Sequence, residues 1–170
     1  MYIRWIGAAI ILAAGGGFGL YFVREHRTEE RALEELIRVL DLLISEIKFR
    51  LTPLPQLCAI AARQGKGPVK KVFQALEAEV SARIRPDGAD CMDAALEQAG
   101  LVPRNAYRNL KILGQTLGRF DADGQVRGLE AVKELCYRDL CSLQANRDVR
   151  LRSYQTLGIC AGVALVIVLI

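Results

Sequence analysis

The chain has 170 residues and a formal net charge of +4, and it combines 52% apolar with 25% charged residues. This length provides for one domain with a core of its own. The charge is mixed, and no long basic stripe interleaves with aromatic residues, which argues against a nucleic-acid partner. The apolar content is high for a soluble domain, so the apolar residues are expected to be concentrated in separate segments.

Two long apolar segments, Ile6 to Val23 and Leu157 to Ile170, lie on either side of a charged middle. The first has near-span length and is followed by a basic segment, which favours a membrane span over a cleaved signal peptide. We therefore predict transmembrane helices over residues 1–24 and 154–170, with one domain over residues 25–153 between them. The lipid bilayer is accordingly an expected partner.

Arginines next to the two apolar segments predict the orientation of the domain. Arg24 and Arg27 follow the first segment, and Arg147, Arg150 and Arg152 precede the second. By the positive-inside rule these residues place the domain in the cytoplasm.

Each predicted span carries two glycines four residues apart. These pairs are Gly15 with Gly19 and Gly158 with Gly162. Small residues at this spacing let helix backbones approach closely in lipid. The pairs predict packing of the spans, either on each other or on another membrane protein.

The cysteines predict a reducing compartment. Their number is odd, and none of them forms a C-x-x-C pair, which argues against a disulfide framework or a zinc site. We expect reduced, buried thiols at Cys58, Cys91, Cys136, Cys141 and Cys160.

Proline and glycine divide the middle of the chain into predicted helices. Apolar residues recur at steps of three and four from Leu33 to Leu51, which is typical of one helical stripe. Pro53 ends this helix, and a second helix is predicted over Leu54 to Gln64. The segment from Gly65 to Pro68 is a predicted turn, and a third helix follows over Val69 to Arg85.

Three further helices are predicted beyond this point. Asp90 is a candidate N-cap for a short helix that Gly100 closes. A fifth helix is predicted over Pro103 to Leu117, with Tyr107 facing inward. Gly118 to Gly124 is a predicted loop, and the last helix is expected from Gln125 onward.

These elements predict an all-α fold, a compact helical bundle anchored by an N-terminal and a C-terminal transmembrane helix. The residues expected to share its core are Leu36, Leu40, Leu43, Ile47, Phe73, Leu76, Leu110, Leu129, Val132 and Leu135.

Residues 119–130 have a partial calcium-loop pattern. Asp121, Asp123 and Glu130 fall at ligand positions of such a loop, but its first position holds Arg119, a cation that repels a metal ion. A membrane-anchored metal-sensing or enzymatic domain that uses the Asp121–Glu130 loop is therefore the alternative hypothesis. The structural interpretation is a turn in which Asp121 or Asp123 caps the last helix.

Several segments of the chain resemble the stage III sporulation protein AB family of endospore-forming bacteria. Leu43 to Ile47 runs into Leu51-Thr52-Pro53-Leu54, and Leu113 to Gly118 (LGQTLG) runs into Asp121 and Gln125. The resemblance covers the whole chain, and the LGQTLG segment is its most specific part.

The resemblance implies a non-enzymatic membrane platform subunit of a secretion-like channel between mother cell and forespore. Family members look like reduced relatives of the F-type platform proteins of type II secretion and type IV pilus systems. The implied partners are a secretion-type ATPase in the mother-cell cytoplasm and other channel membrane proteins, and a homo-oligomer is left open. No catalytic residue, metal site or cofactor is implied.

The candidate site residues are those of the matching segments. Either a structural or a partner-binding role is open for Glu46, Pro53, Gly114, Gly118, Asp121 and Gln125. The structural role is favoured for the glycines and for Asp121, because each has a local backbone reason to be there.

Overall fold

A computed structural model describes residues 27–82, 85, 87–118 and 121–169, and beyond residue 145 it describes the backbone alone. The predicted first span, with Gly15 and Gly19, lies outside the described residues. Within them the chain is all-α, as predicted, and contains no strand. The helices are α1 (27–50), α2 (Leu54–Gln64), α3 (Gly67–Ala82), α4 (Gly88–Ala99), α5 (Arg104–Thr116) and α6 (Ala122–Leu169).

The apolar stripe of α1 forms one wall of the core, with Leu33, Leu36 and Leu40 fully buried. The prediction that this stripe reaches Leu51 is wrong. Leu51 is 72% exposed and has a φ angle of 50°, in the left-handed region that a β-carbon disfavours. This conformation ends α1, and Thr52-Pro53 then leads the chain into α2.

Two helices, α3 and α4, begin at residues other than the predicted ones. The turn predicted over Gly65 to Pro68 is shorter, since α3 begins at Gly67 and includes Pro68. Proline is tolerated in a first turn, where its missing N–H would have no partner in any case. Helix α4 begins at Gly88 with Asp87 as its N-cap, so the prediction of Asp90 as the cap is wrong. The Asp87 carboxylate accepts a hydrogen bond from the Ala89 N–H at 3.4 Å.

The inward face of α5 contains Leu110 and Leu113 as predicted, but it contains Ala106 in place of Tyr107. Ala106, Leu110 and Leu113 are fully buried together with the polar Asn109. Tyr107 is 40% exposed, so the prediction that it faces inward is wrong.

Helix α6 begins at Ala122, three residues before the predicted start, and its inward face holds Leu129, Val132 and Cys136. Leu135 is half-buried and outside the core, which corrects the prediction, because the face follows steps of three and four from Leu129.

The backbone of α6 continues through Gly158 and Gly162 to Leu169. Among the described residues, no helix is long and apolar enough to cross a membrane. The two spans stay predictions.

One core unites all six helices and contains nine of the ten residues expected there, Leu135 being the exception. Cys58, Cys91 and Cys136 are buried as predicted, whereas Cys141 is exposed. Burial raises the pKa of the Cys58 and Cys136 thiols to about 12, so both remain protonated and behave as small apolar side chains.

Leu40→Ala should lower the free energy of unfolding by about 2–5 kcal/mol, because Leu40 is fully buried and its truncation leaves a cavity. Leu101→Ala is the matched control, since Leu101 is 100% exposed and the same truncation there should cost less than about 0.5 kcal/mol. Chemical denaturation of the full chain in detergent measures both. A loss below about 1 kcal/mol for Leu40→Ala would contradict the assigned core.

Leu51→Gly should raise the free energy of unfolding by about 0.5–1 kcal/mol, because relief of the left-handed backbone outweighs the larger entropy of glycine in the unfolded chain. Leu51→Ala keeps the β-carbon and should give no such gain. The same denaturation assay compares the two variants. Destabilisation by glycine would show that the Leu51 side chain contributes to the fold.

A candidate docking surface at one end of the bundle

Helices α1 and α6 run antiparallel, which gives the bundle two distinct ends. Lys48 pairs with Glu130 at 2.8 Å, and Lys133 pairs with Asp41 at 2.8 Å. The described part of α1 therefore begins at the end where α6 leaves the bundle. We call the opposite end, formed by residues 46–54, 114–118 and 121–125, the distal end.

Glu46 and Pro53 form the first turn of the distal end. The Thr52 hydroxyl donates a hydrogen bond to Glu46 Oε2 at 3.1 Å, and Arg50 pairs with Glu46 Oε1 at 3.3 Å. The Pro53 carbonyl accepts a hydrogen bond from the Leu57 N–H at 3.0 Å and so starts α2. Glu46 is mostly buried in these contacts, which gives it a structural role in shaping the turn.

Gly114 and Gly118 are both required by the backbone of the second turn. A β-carbon on Gly114 would lie 2.5 Å from the Met92 β-carbon, too close for any atom. Gly118 has a φ angle of 78° and therefore needs the left-handed conformation. The α-carbon of Gly118 also faces the Leu54 side chain, since a β-carbon there would lie 3.5 Å from Leu54 Cδ2. This contact joins the two turns.

Asp121 caps α6. Its Oδ1 atom accepts a hydrogen bond from the Gly124 N–H at 3.0 Å, and its carbonyl accepts one from the Gln125 N–H at 2.9 Å. Asp121 is therefore the cap, rather than Asp123. All six candidate residues therefore lie at the distal end. Five of them make a backbone or turn-forming contact there, and the sixth, Gln125, donates its N–H to the Asp121 carbonyl at the start of α6.

The distal end also exposes an apolar surface that sequence reasoning did not single out. Phe49 is 84% exposed and Leu51 is 72% exposed, and the exposed Arg50 lies between them. The signal was present in the sequence, because Phe49 is out of phase with the apolar stripe of α1. We call Phe49, Arg50 and Leu51 the distal tip.

The segment of the calcium-loop hypothesis is helical from Ala122 onward, so it is not a loop. Glu130 points to Lys48 instead, and this hydrogen bond and charge lower the pKa of its carboxyl. Among the described residues, no three His, Cys, Asp or Glu side chains are grouped closely enough to hold a metal ion. The described residues therefore contain no set of ligands for the metal ion that the alternative hypothesis requires.

A buried polar cluster on the flank of the bundle connects α5 to α6. The Asn109 side-chain N–H groups donate to Asp139 Oδ2 at 2.9 Å and to the Cys136 sulfur at 3.4 Å. Arg108 donates to both Asp139 oxygens at 2.7 Å. Sequence analysis missed this cluster, because an asparagine inside an apolar stripe gives no pattern of its own.

A groove of about 530 Å³ lies between α1 and the α2–α3 connection, away from the distal end. Arg38 pairs with Glu35 at 2.5 Å and also donates to the Gln64 carbonyl, and the Lys66 N–H donates to Glu35 at 2.8 Å. Arg38 lowers the pKa of the Glu35 carboxyl, so this group stays ionised. These contacts hold α1 and the connection together.

The chain is similar to known proteins of one family. The family model described as stage III sporulation protein AB matches residues 4–170. A relative from Bacillus subtilis (strain 168), stage III sporulation protein AB, is 25% identical and aligns over 98% of this chain and 99% of its own length. A solved structure of stage III sporulation protein AB (SpoIIIAB) shares the fold, with a TM-score of 0.62 and 21% identity over 72% of this chain and 98% of that one. The chain belongs to the stage III sporulation protein AB family.

Proposed function

We propose that the protein is a non-enzymatic platform subunit of a sporulation-specific, secretion-like channel between mother cell and forespore. Two spans anchor it in the cell membrane, the domain faces the mother-cell cytoplasm, and the distal end docks a secretion-type ATPase. Membership of the stage III sporulation family supports a role in sporulation. The single observation that supports docking at this end is the exposure of the two large apolar side chains of the distal tip.

The distal tip has the composition of a binding site rather than of an ordinary surface. It places two large apolar side chains beside an arginine, and aromatic residues and arginine are enriched among the residues that dominate binding energy. Leu51 is also held in a left-handed conformation that costs about 1–2 kcal/mol. The backbone of Leu51 ends α1, but its exposed side chain adds nothing to the core, which favours a role of that side chain in binding.

The position of the tip suits a platform. The described part of α1 spans 27–50, so a helix of this length holds the tip about 35 Å from residue 27. The predicted spans attach to the other end of the bundle. An ATPase in the cytoplasm would therefore meet the distal tip before it meets any other part of the domain.

Phe49→Ser should weaken capture of the secretion-type ATPase by about 30-fold, which corresponds to about 2 kcal/mol for the loss of one dominant apolar contact. The measurement is the affinity of the ATPase for the full chain in lipid nanodiscs. Tyr137→Ser is the matched control, because Tyr137 is a half-exposed aromatic residue on α6 away from the distal end. Equal affinities for Phe49→Ser and the unchanged chain would contradict docking at the tip.

Leu51→Gly separates docking from folding in the same assay. It removes an exposed apolar contact while relieving the backbone, so ATPase affinity should fall by about tenfold although the chain becomes more stable. A purely structural role for Leu51 could not produce opposite changes in affinity and stability. Unchanged affinity in this variant would remove Leu51 from the docking surface.

Asp121→Ala should lower the free energy of unfolding by about 0.5–2 kcal/mol, because the cap on α6 is lost. Capture of the ATPase should survive at low temperature, where the variant remains folded. Thermal denaturation and nanodisc capture together measure the two effects. An unchanged melting temperature with loss of capture would instead make Asp121 a partner contact.

A further inference from the structure

The connection between α4 and α5 presents a leucine fully to solvent. Leu101 is 100% exposed, whereas its neighbour Val102 packs on the core. Gly100, with a φ angle of 78°, closes α4, and Pro103 is the N-cap of α5. A fixed turn therefore holds the Leu101 side chain away from the protein, so its exposure is a property of the backbone.

This connection lies at the end of the bundle opposite the distal tip. The Asn105 N–H donates a hydrogen bond to Glu29 Oε1 at 3.1 Å, which places the start of α5 beside the start of the described part of α1. Glu29 follows Val23, the last residue of the first apolar segment, by six residues. Six residues span at most about 20 Å. Leu101 is thus tethered close to the point where the first predicted span ends.

We propose that Leu101 contacts the bilayer surface and enters the boundary between headgroups and acyl chains. This inference rests on the proposed function, because it requires the two spans to be inserted. Transfer of an exposed leucine out of water is favourable. The exposed Arg104 follows three residues later and suits the lipid phosphates at the same depth.

A single leucine would be too weak to recruit a free domain to a membrane, but recruitment is not required here. The spans keep the domain at the surface, so contact of Leu101 with lipid is an intramolecular step at high effective concentration. A second point of contact beside the spans would restrict tilting of the domain. The distal tip would then be held at a defined height above the membrane, within reach of the ATPase.

Tryptophan fluorescence in lipid nanodiscs tests the contact directly. The chain has one tryptophan, Trp5, so Trp5→Phe gives a silent background into which Leu101→Trp is introduced. The probe is a nanodisc of phosphatidylcholine and phosphatidylglycerol with acyl chains brominated near the headgroup, which quench tryptophan at short range. We expect a blue-shifted emission that falls by about half or more in brominated lipid.

Phe49→Trp in the same background is the matched control, because it places tryptophan at an exposed site on the distal tip. Its emission should be neither shifted nor quenched. Equal, low quenching at positions 49 and 101 in a chain that elutes with lipid would overturn the contact and leave the platform proposal standing. A blue shift at position 101 without quenching would also overturn it, since a protein surface would then cover the side chain. A chain that elutes free of lipid would refute the spans themselves.

Discussion

The antiparallel packing of α1 on α6 is the constraint on which the rest of the structure depends. Leu36 and Leu40 of α1 are fully buried in the core, and burial of each such side chain contributes about 1.5–3 kcal/mol. The exposed pairs Lys48–Glu130 and Lys133–Asp41 are screened by solvent, so they set the register rather than the stability. Because the two helices run in opposite directions, the described part of α1 begins on the side where α6 leaves the bundle.

The distal end is built from close backbone approaches. A β-carbon on Gly88 would collide with the Leu117 carbonyl, and one on Gly114 would collide with Met92. Helix α4 can therefore cross the end of α5 only where both residues are glycine. Asp121 then starts α6 from the same turn. These contacts leave little freedom in the backbone, and a rigid scaffold is what an exposed binding tip requires to avoid an entropic loss on binding.

Periodicity in the sequence predicted the helices, their order and nearly all of the core, because burial of α1 and α6 leaves a strong three-and-four pattern. Periodicity failed where either of two neighbouring residues could face the core. Tyr107 is more apolar than Asn109, yet Asn109 is inside, where its side-chain N–H groups donate to Asp139 and to Cys136. Leu51 continues the apolar stripe, yet the left-handed backbone takes it out of the core. The first outcome depends on partners that are distant in the sequence, which local periodicity does not register. The second depends on the backbone of the turn that ends α1.

The segments that identify the family and the residues that bind a partner need not coincide. Gly114, Gly118 and Asp121 are each accounted for by a close approach, a positive φ angle or a cap, so replacing them changes the scaffold before it changes any surface. Phe49 is 84% exposed and contributes little burial, so its chemistry can change without cost to folding. Under the proposed function, one fold can be kept while the tip is adjusted to a particular ATPase. That proposal places the specificity of docking in the side chains that the fold does not need.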